Sequence, residues 1–418
     1  MQLENILKVY QRGEKFLILN PLAPAWIVTN LNGVLLVKSY AEKQSSAEFL
    51  KQAKNISAES VEKFLKKARG AGLFTIPVAP FFHTPYTLRA VYLNMTAQCN
   101  LNCIYCFAAA RQESNFQMTF DDYKKIIEAV KNYNPRAEII FTGGEPLLAE
   151  NTFAVAEYSK KLGFKNKLMT NATLITEKNI KKIIGLFDSI KISLDGSTAE
   201  KHDFYRGRGS YERTIKAVEL LDKFGADISF AMVVTKNNFA DIYSMAEKWG
   251  GRLIFQPLFP LGNATANKNL YLTGKEYFDA LKAAGVIPFV DLPNAPKVVL
   301  KCALGDAEIS VSASGDVYPC QLLHHDIFKV GNLKGNSFDE IYNSEKLNKF
   351  KMHTVDFIEK CKYCDLKLIC GGACQARHFS ETGNIDIAGD FCEYERTGII
   401  DGLISAANLQ AVKWLNLF

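Results

Sequence analysis

The first 85 residues of this 418-residue chain contain no cysteine, and none falls between 107 and 301. All ten cysteines are crowded into two regions: three lie between 99 and 106, and Cys302, Cys320, Cys361, Cys364, Cys370, Cys374 and Cys392 lie beyond residue 300. A disulfide scaffold has no use for such clustering, whereas metal binding does. Also missing is any apolar run near the ~18 residues that cross a bilayer. The N-terminus, MQLENILKVYQRGEKF, has no charged-then-apolar signal segment, so a cytoplasmic protein without a membrane partner is expected. No region carries charge of one sign. The formal charge is +6, but Lys and Arg are scattered among Asp and Glu, which argues against a nucleic-acid partner. What is present, 48% hydrophobic and 22% charged residues, describes a soluble globular protein of two or three domains.

Taken in order, residues 1–85 form their own unit. Apolar runs at Phe16 to Leu19 and Ala25 to Val28 are separated by NPLAP, whose prolines demand a turn. Helical patterns follow near Asn30 to Tyr40, Ser46 to Ala53 and Ala58 to Ala71. In the last of these, Val61, Phe64, Leu65 and Ala68 share one face. Residues 86–262 alternate strand and helix. Strands are expected at Val91 to Met95, Glu138 to Thr142, Leu168 to Thr170, Ile190 to Leu194, Ile228 to Val234 and Leu253 to Gln256, with helices such as Phe120 to Lys131 and Tyr211 to Phe224 between them. That alternation predicts an α/β fold with a parallel sheet and outer helices, its chemistry on the loops after the strands. Residues 263–300 read as a connector with a helix near Lys275 to Ala284, and residues 301–418 as a cysteine-rich domain ending in an apolar helix.

The stretch AVYLNMTAQCNLNCIYCF, Ala90 to Phe107, spaces Cys99, Cys103 and Cys106 as C-x3-C-x2-C directly after a strand. Soft thiolates so close together select an iron–sulfur cluster or zinc, and a zinc knuckle stays open on the triplet alone. A cubane takes four ligands. With three from protein, one iron is left for a small molecule.

This spacing resembles the signature of the radical S-adenosylmethionine (SAM) family, in which that iron chelates the amino and carboxylate groups of SAM. Further residues carry the likeness. Gly143-Gly144-Glu145-Pro146 matches the GGEP motif after the second strand, Asn171 ends the third, and Ser193-Leu194-Asp195-Gly196 is similar to the family's S-x-D-G stretch. The segment HDFYRGRG looks like its H-D-x-x-R-G run. By resemblance, the SAM contacts are Tyr105 near the adenine, Gly143, Gly144, Glu145 and Asn171, Ser193 and Asp195 at the ribose and methionyl portion, and Arg206 at the carboxylate. The implied fold is a partial (β/α)6 TIM-like barrel. The cofactors implied are SAM and a [4Fe-4S] cluster on Cys99, Cys103 and Cys106, which generate a 5'-deoxyadenosyl radical.

Beyond residue 300, the run Cys302, Gly315-x4-Cys320, Cys361-x2-Cys364-x5-Cys370-x3-Cys374 and Cys392 resembles the seven-cysteine pattern of SPASM domains. That resemblance implies two auxiliary [4Fe-4S] clusters, one on Cys361, Cys364, Cys370 and Cys392, the other on Cys302, Cys320 and Cys374. The second set is one thiolate short, and no cysteine just before Cys302 fills the gap. Gln321 stands where sulfatase-maturing relatives carry an acidic residue, which argues against that activity. The first 85 residues resemble, by pattern, a winged-helix or PqqD-like leader-recognition domain. Together these likenesses imply a peptide maturase that installs a thioether or carbon–carbon cross-link in a ribosomally made precursor with a leader, served by an external electron donor such as ferredoxin or flavodoxin. Two other classes remain: a SAM enzyme acting on a small molecule in cofactor synthesis, and a DNA-binding regulator with iron–sulfur sensors, which leaves the GGEP and S-x-D-G stretches without a use.

Overall fold

A computed structural model describes residues 5–42, 56–78, 81–108, 118–286 and 298–410. The helix expected over Ser46 to Ala53, the PFVDLPNAPK stretch beyond Ile287 and the last eight residues of the tail fall outside them.

The N-terminal unit is a three-stranded antiparallel sheet of β1 (Lys8–Arg12), β2 (Lys15–Asn20) and β3 (Ala25–Thr29), in that order, followed by α1 (Leu31–Ala41) and α2 (Ala58–Gly70). Both helices start where a side chain accepts an otherwise unpaired backbone N–H: Asn30 from Gly33 and Ser57 from Ser60, each at 3.1 Å. β1 was not foreseen, since KVYQR is polar on both faces and mostly exposed. β2 is covered on both sides. Ile18 packs against Leu36, Val37, Leu65 and Ala68 of the two helices, while Leu17 and Leu19 pack against Leu366, Ile399, Ile400, Leu403 and Ile404. The last four belong to the C-terminal helix Phe391–Gln410, so the chain's two ends share a core. Polar contacts tighten that seam. Arg12 meets Asp401 at 2.6 Å, and Tyr10 donates to Asp365, which also accepts from Arg396 at 3.1 Å.

The central sheet runs β12-β11-β10-β4-β5-β6-β7-β8-β9. Six of its strands are parallel and sequential: β4 (Ala90–Thr96), β5 (Glu138–Gly143), β6 (Lys165–Thr170), β7 (Ser189–Ser193), β8 (Ile228–Val234) and β9 (Leu253–Pro257). Helices α3 (Phe120–Tyr133), α4 (Thr152–Lys161), α5 (Ile180–Leu186), α6 (Ala199–Arg206), α7 (Ser210–Lys223) and α8 (Ile242–Trp249) join them. Strand alternation divides the side chains. Val91, Leu93, Ile139, Phe141, Ile190, Ile192, Phe230 and Met232 meet the apolar stripes of the helices, for example Ile126, Ile127 and Val130 of α3. The opposite face, with Thr142, Met169, Lys191, Ser193, Ala231, Val233 and Gln256, lines a cavity of about 240 Å³.

The sheet does not stop at β4. The cysteine-rich part contributes β10 (Glu308–Val311), parallel to β4 with Val91 opposite Ile309, then β11 (Asp316–Tyr318) and β12 (Gly331–Asn332), antiparallel. This insertion was not apparent from sequence, because four-residue and shorter strands give too little periodicity. It leaves β4 buried along its whole length.

The seam between the chain ends supplies a stability prediction. Leu403→Ala removes a fully buried side chain and should destabilise the fold by about 2–4 kcal/mol. Thermal unfolding followed through Trp26, which packs at the seam, should show a lower midpoint and a red-shifted native emission.

Candidate active site and cysteine clusters

The loop after β4 is held by four hydrogen bonds to three residues, Tyr205, Asn263 and Asn267. Ile104 N–H donates to the Tyr205 carbonyl at 3.0 Å, and Asn263 Nδ2 donates to the Cys103 carbonyl at 3.0 Å. Asn263 N–H reaches the Cys106 carbonyl at 2.9 Å, and Asn267 Nδ2 the Ile104 carbonyl at 2.7 Å. The start of the 263–300 connector therefore grips the cysteine loop. Its signal was Asn263, Asn267 and Gly262, whose φ of +57° brings the backbone so near that a Cβ would overlap the Cys106 carbonyl oxygen.

Within the loop the sulfurs face donors. Leu101 N–H lies 3.4 Å and Asn171 Nδ2 3.8 Å from Cys99 Sγ, and Arg206 Nη1 lies 4.0 Å from Cys103 Sγ. Burial pushes the Cys99 and Cys103 thiols up, and these donors partly offset it.

Gly143 and Gly144 do line the cavity, but the reason for two glycines is not only ligand approach. Gly144 N–H donates to the Thr96 carbonyl at 2.8 Å and Glu145 N–H to the Gln98 carbonyl at 2.8 Å, so the end of β5 lies against the chain entering the cysteine loop. A Cβ on Gly144 would overlap the Gln98 carbonyl. Glu145 itself is turned away. Its carboxylate is fully buried and accepts from Thr170 Oγ1 at 2.7 Å, Asn171 N–H at 2.9 Å and Leu147 N–H at 3.1 Å, which ties β5 to β6. Burial raises its pKa and these three bonds oppose the rise.

Tyr105, Asn171, Ser193 and Arg206 line the cavity with the three cysteines. Asp195 does not. Buried behind the wall, it accepts from Tyr105 Oη, from Arg206 Nε and, at 2.9 Å, from Val233 N–H. Arg206 Nη2 also donates to Tyr105 Oη at 3.0 Å. The guanidinium expected at a carboxylate is thus already paired with Asp195, and it acts first to position Tyr105 and the Cys103 sulfur. His202 is structural: Nδ1 accepts the Asp195 N–H at 3.2 Å, and burial holds its pKa down at about 4. Two residues lacking any motif join the cavity, Gln256 at the end of β9 and Gln321 after Cys320. His324 and His325 do not line it. The first stacks on Tyr318 and contacts Ser310 Oγ at 2.8 Å; the second caps a short turn.

The remaining seven cysteines, none disulfide-bonded, form two electrostatic groups. Cys302, Cys320 and Cys374 are packed around Leu304, Tyr318, Leu323 and Ala376. Burial first, and then Cys374, pushes the Cys302 thiol up to about 11. Cys361, Cys364, Cys370 and Cys392 line a separate cavity of about 460 Å³. Burial and then the Cys392 and Cys364 charges push Cys361 up to about 12. Between the groups, Gly371, Gly372 and Ala373 take φ of +66°, +83° and +54°, which turns the N–H groups of Gly372 and Ala373 toward Cys370 sulfur. Among the described residues no three His, Cys, Asp or Glu side chains gather around a single ion's position. Soft donors that raise one another's pKa, backed by N–H groups aimed at sulfur, fit a polynuclear cationic core in each place.

The three cysteine groups define an iron–sulfur class of protein. Residues 93–248 match the Radical SAM superfamily and residues 302–365 the SPASM iron–sulfur cluster-binding domain, so the chain carries both domains in series and is a radical SAM/SPASM enzyme. Its cofactors are SAM, a [4Fe-4S] cluster and auxiliary iron–sulfur clusters. Among proteins it is similar to, the AdoMet-dependent heme synthase of Methanosarcina barkeri is 27% identical over 73% of this chain and 96% of that protein. The antilisterial bacteriocin subtilosin biosynthesis protein AlbA of Bacillus subtilis is 28% identical over 72% of this chain and 70% of that one. The solved structure of Streptococcus suis SuiB bound to precursor peptide SuiA shares the fold over 92% of this chain and 98% of that chain, with TM-score 0.58 and 16% identity. No helix among the described residues is long and apolar enough to cross a membrane.

Gly144→Ala should abolish SAM binding and lower iron content, because the added methyl forces β5 from the cysteine loop; equilibrium dialysis with SAM and iron analysis read both. His202, neutral in the fold, stabilises it above its ordinary pKa of 6.5, and that contribution is lost as pH falls toward about 4. Anaerobic urea midpoints at pH 7.5 and 5.5 should differ less in His202→Asn than in the parent protein.

Proposed function

We propose that the chain is a maturase of ribosomally made peptides, working in a partial barrel, that closes an oxidative cross-link, either thioether or carbon–carbon. The observation that supports this most is the N-terminal three-stranded sheet. Its strands β1 and β3 each have one side without a strand partner among the described residues, and such an edge can take a leader segment as a further strand. The PqqD-like character of residues 1–85 is part of this proposal. SuiB, whose fold likeness runs along nearly the whole chain, binds a precursor peptide, and AlbA belongs to a bacteriocin pathway.

Cys99, Cys103 and Cys106 would hold the SAM-binding cluster, Cys361, Cys364, Cys370 and Cys392 one auxiliary cluster, and Cys302, Cys320 and Cys374 another. When bound, the first cluster and SAM supply one-electron cleavage of a sulfonium carbon–sulfur bond, the source of hydrogen-atom abstraction from unactivated carbon. The protein's own residues orient and enclose. Tyr105, Gly143, Gly144, Asn171 and Ser193 shape the SAM end of the cavity, Asp195 from behind and Arg206 from the wall fix Tyr105, and Met169, Val233, Leu258 and Phe259 add apolar surface to the wall. Gln321 brings an amide rather than a carboxylate to the wall, so it supplies no base there.

A second proposal is favoured by one observation, the heme synthase among the similar proteins: the substrate is a small molecule. Anaerobic incubation with SAM, reductant and candidate precursor peptides, followed by mass measurement, separates the two. A peptide lighter by two hydrogens is expected; SAM cleavage that only a small molecule stimulates would favour the alternative. Cys302→Ala should lose iron and alter the Mössbauer signal of one auxiliary cluster, leaving the signal of the cluster on Cys99, Cys103 and Cys106 in place.

A further inference from the structure

One charged side chain in the cavity has no assigned task. Lys191 lies on the same face of β7 as Ser193 and two residues before it, hence about 6–7 Å deeper from the strand end. Across the β6–β7 pair it sits opposite Met169, which shares the wall. No hydrogen bond or ion pair holds its ammonium among the described residues; the charges it feels are those of Lys167 and Glu308, which oppose each other. Glu308 in turn feels Arg89 more strongly than Lys191. Among the described residues, the other cation on the wall, Arg206, is already paired with Asp195, and no Asp or Glu lines the cavity.

Removing an ammonium from water is unfavourable when the carboxylate that it feels, Glu308, makes no ion pair with it and is shared with Arg89. The penalty is relieved if the counterion arrives with the substrate. A single ammonium between Met169 and Ser229 in the sheet register suits a monoanion; a phosphate dianion would call for more donors than this wall offers. We propose that Lys191 binds a carboxylate of the substrate at the floor of the cavity and so selects substrates that present one below the SAM end. This rests on the cavity being the place of reaction, and holds for a peptide acid or a carboxylated small molecule alike.

The test uses anaerobic holoenzyme loaded with SAM and two pairs of probes: a pool of short peptides with free acidic groups against the same pool as amides, and a carboxylated porphyrin against its methyl ester. Dissociation constants from equilibrium dialysis should favour the acid about tenfold in at least one pair. Lys191→Met, and Lys191→Gln should Met fail to fold, are expected to erase that preference; Lys191→Arg should retain it. Iron content and circular dichroism check that the variants are folded. Acid preference in the peptide pair alone supports both this assignment and the maturase proposal, whereas preference in the porphyrin pair alone keeps Lys191 in its role and moves the substrate to the small-molecule class. Equal binding of acid and neutral forms by the parent protein, or a preference that survives Lys191→Met, would overturn the assignment. So would a variant that loses SAM affinity with its acid preference intact.

Discussion

The gathering of partly buried thiols organises this molecule. Ten free thiols lie in three groups, and in each, burial first and then neighbouring sulfur raises the pKa of a member: Cys103, Cys302 and Cys361. At neutral pH such thiols stay protonated, and a cationic core is what draws them into thiolate form, so each group is built to be completed rather than self-sufficient. The surrounding backbone prepares for that: N–H groups point at Cys99 and Cys320 sulfur, and three successive left-handed residues turn further N–H groups toward Cys370. Stability and cofactor loading are therefore one problem in this fold.

Around that constraint, two kinds of buried carboxylate divide the structural labour. Glu145 ties the ends of β5 and β6, and Asp195 ties Tyr105, Arg206 and β8. Neither reaches the cavity, yet each fixes side chains or backbone that do. Polar motif residues in such a site need not be ligands. Several are the braces that hold ligand-facing groups in one geometry.

Much of this was legible in the sequence because chemistry was written in spacing. The C-x3-C-x2-C loop, GGEP and S-x-D-G each follow an apolar run, and the six strand positions agree with the structure to within about three residues. What escaped was set by long-range contact. Strand β1 has no apolar face to announce it, β10 to β12 are too short to show a period, and Asn263 and Asn267 look like loop filler until the cysteine loop is seen against them. Lys191, in an ordinary strand pattern, becomes notable only once the cavity gives it no partner.

The pairing of β4 with β10 has a consequence for how the protein is made. When β4 leaves the ribosome, one of its edges faces a partner that lies more than two hundred residues further along the chain. Until then an apolar strand keeps unpaired backbone groups on that side, open to pairing with another nascent chain. Iron and sulfide for the seven cysteines from Cys302 on have to await the last third of translation, so the yield of active protein in a cell should track chaperone capacity as much as metal supply.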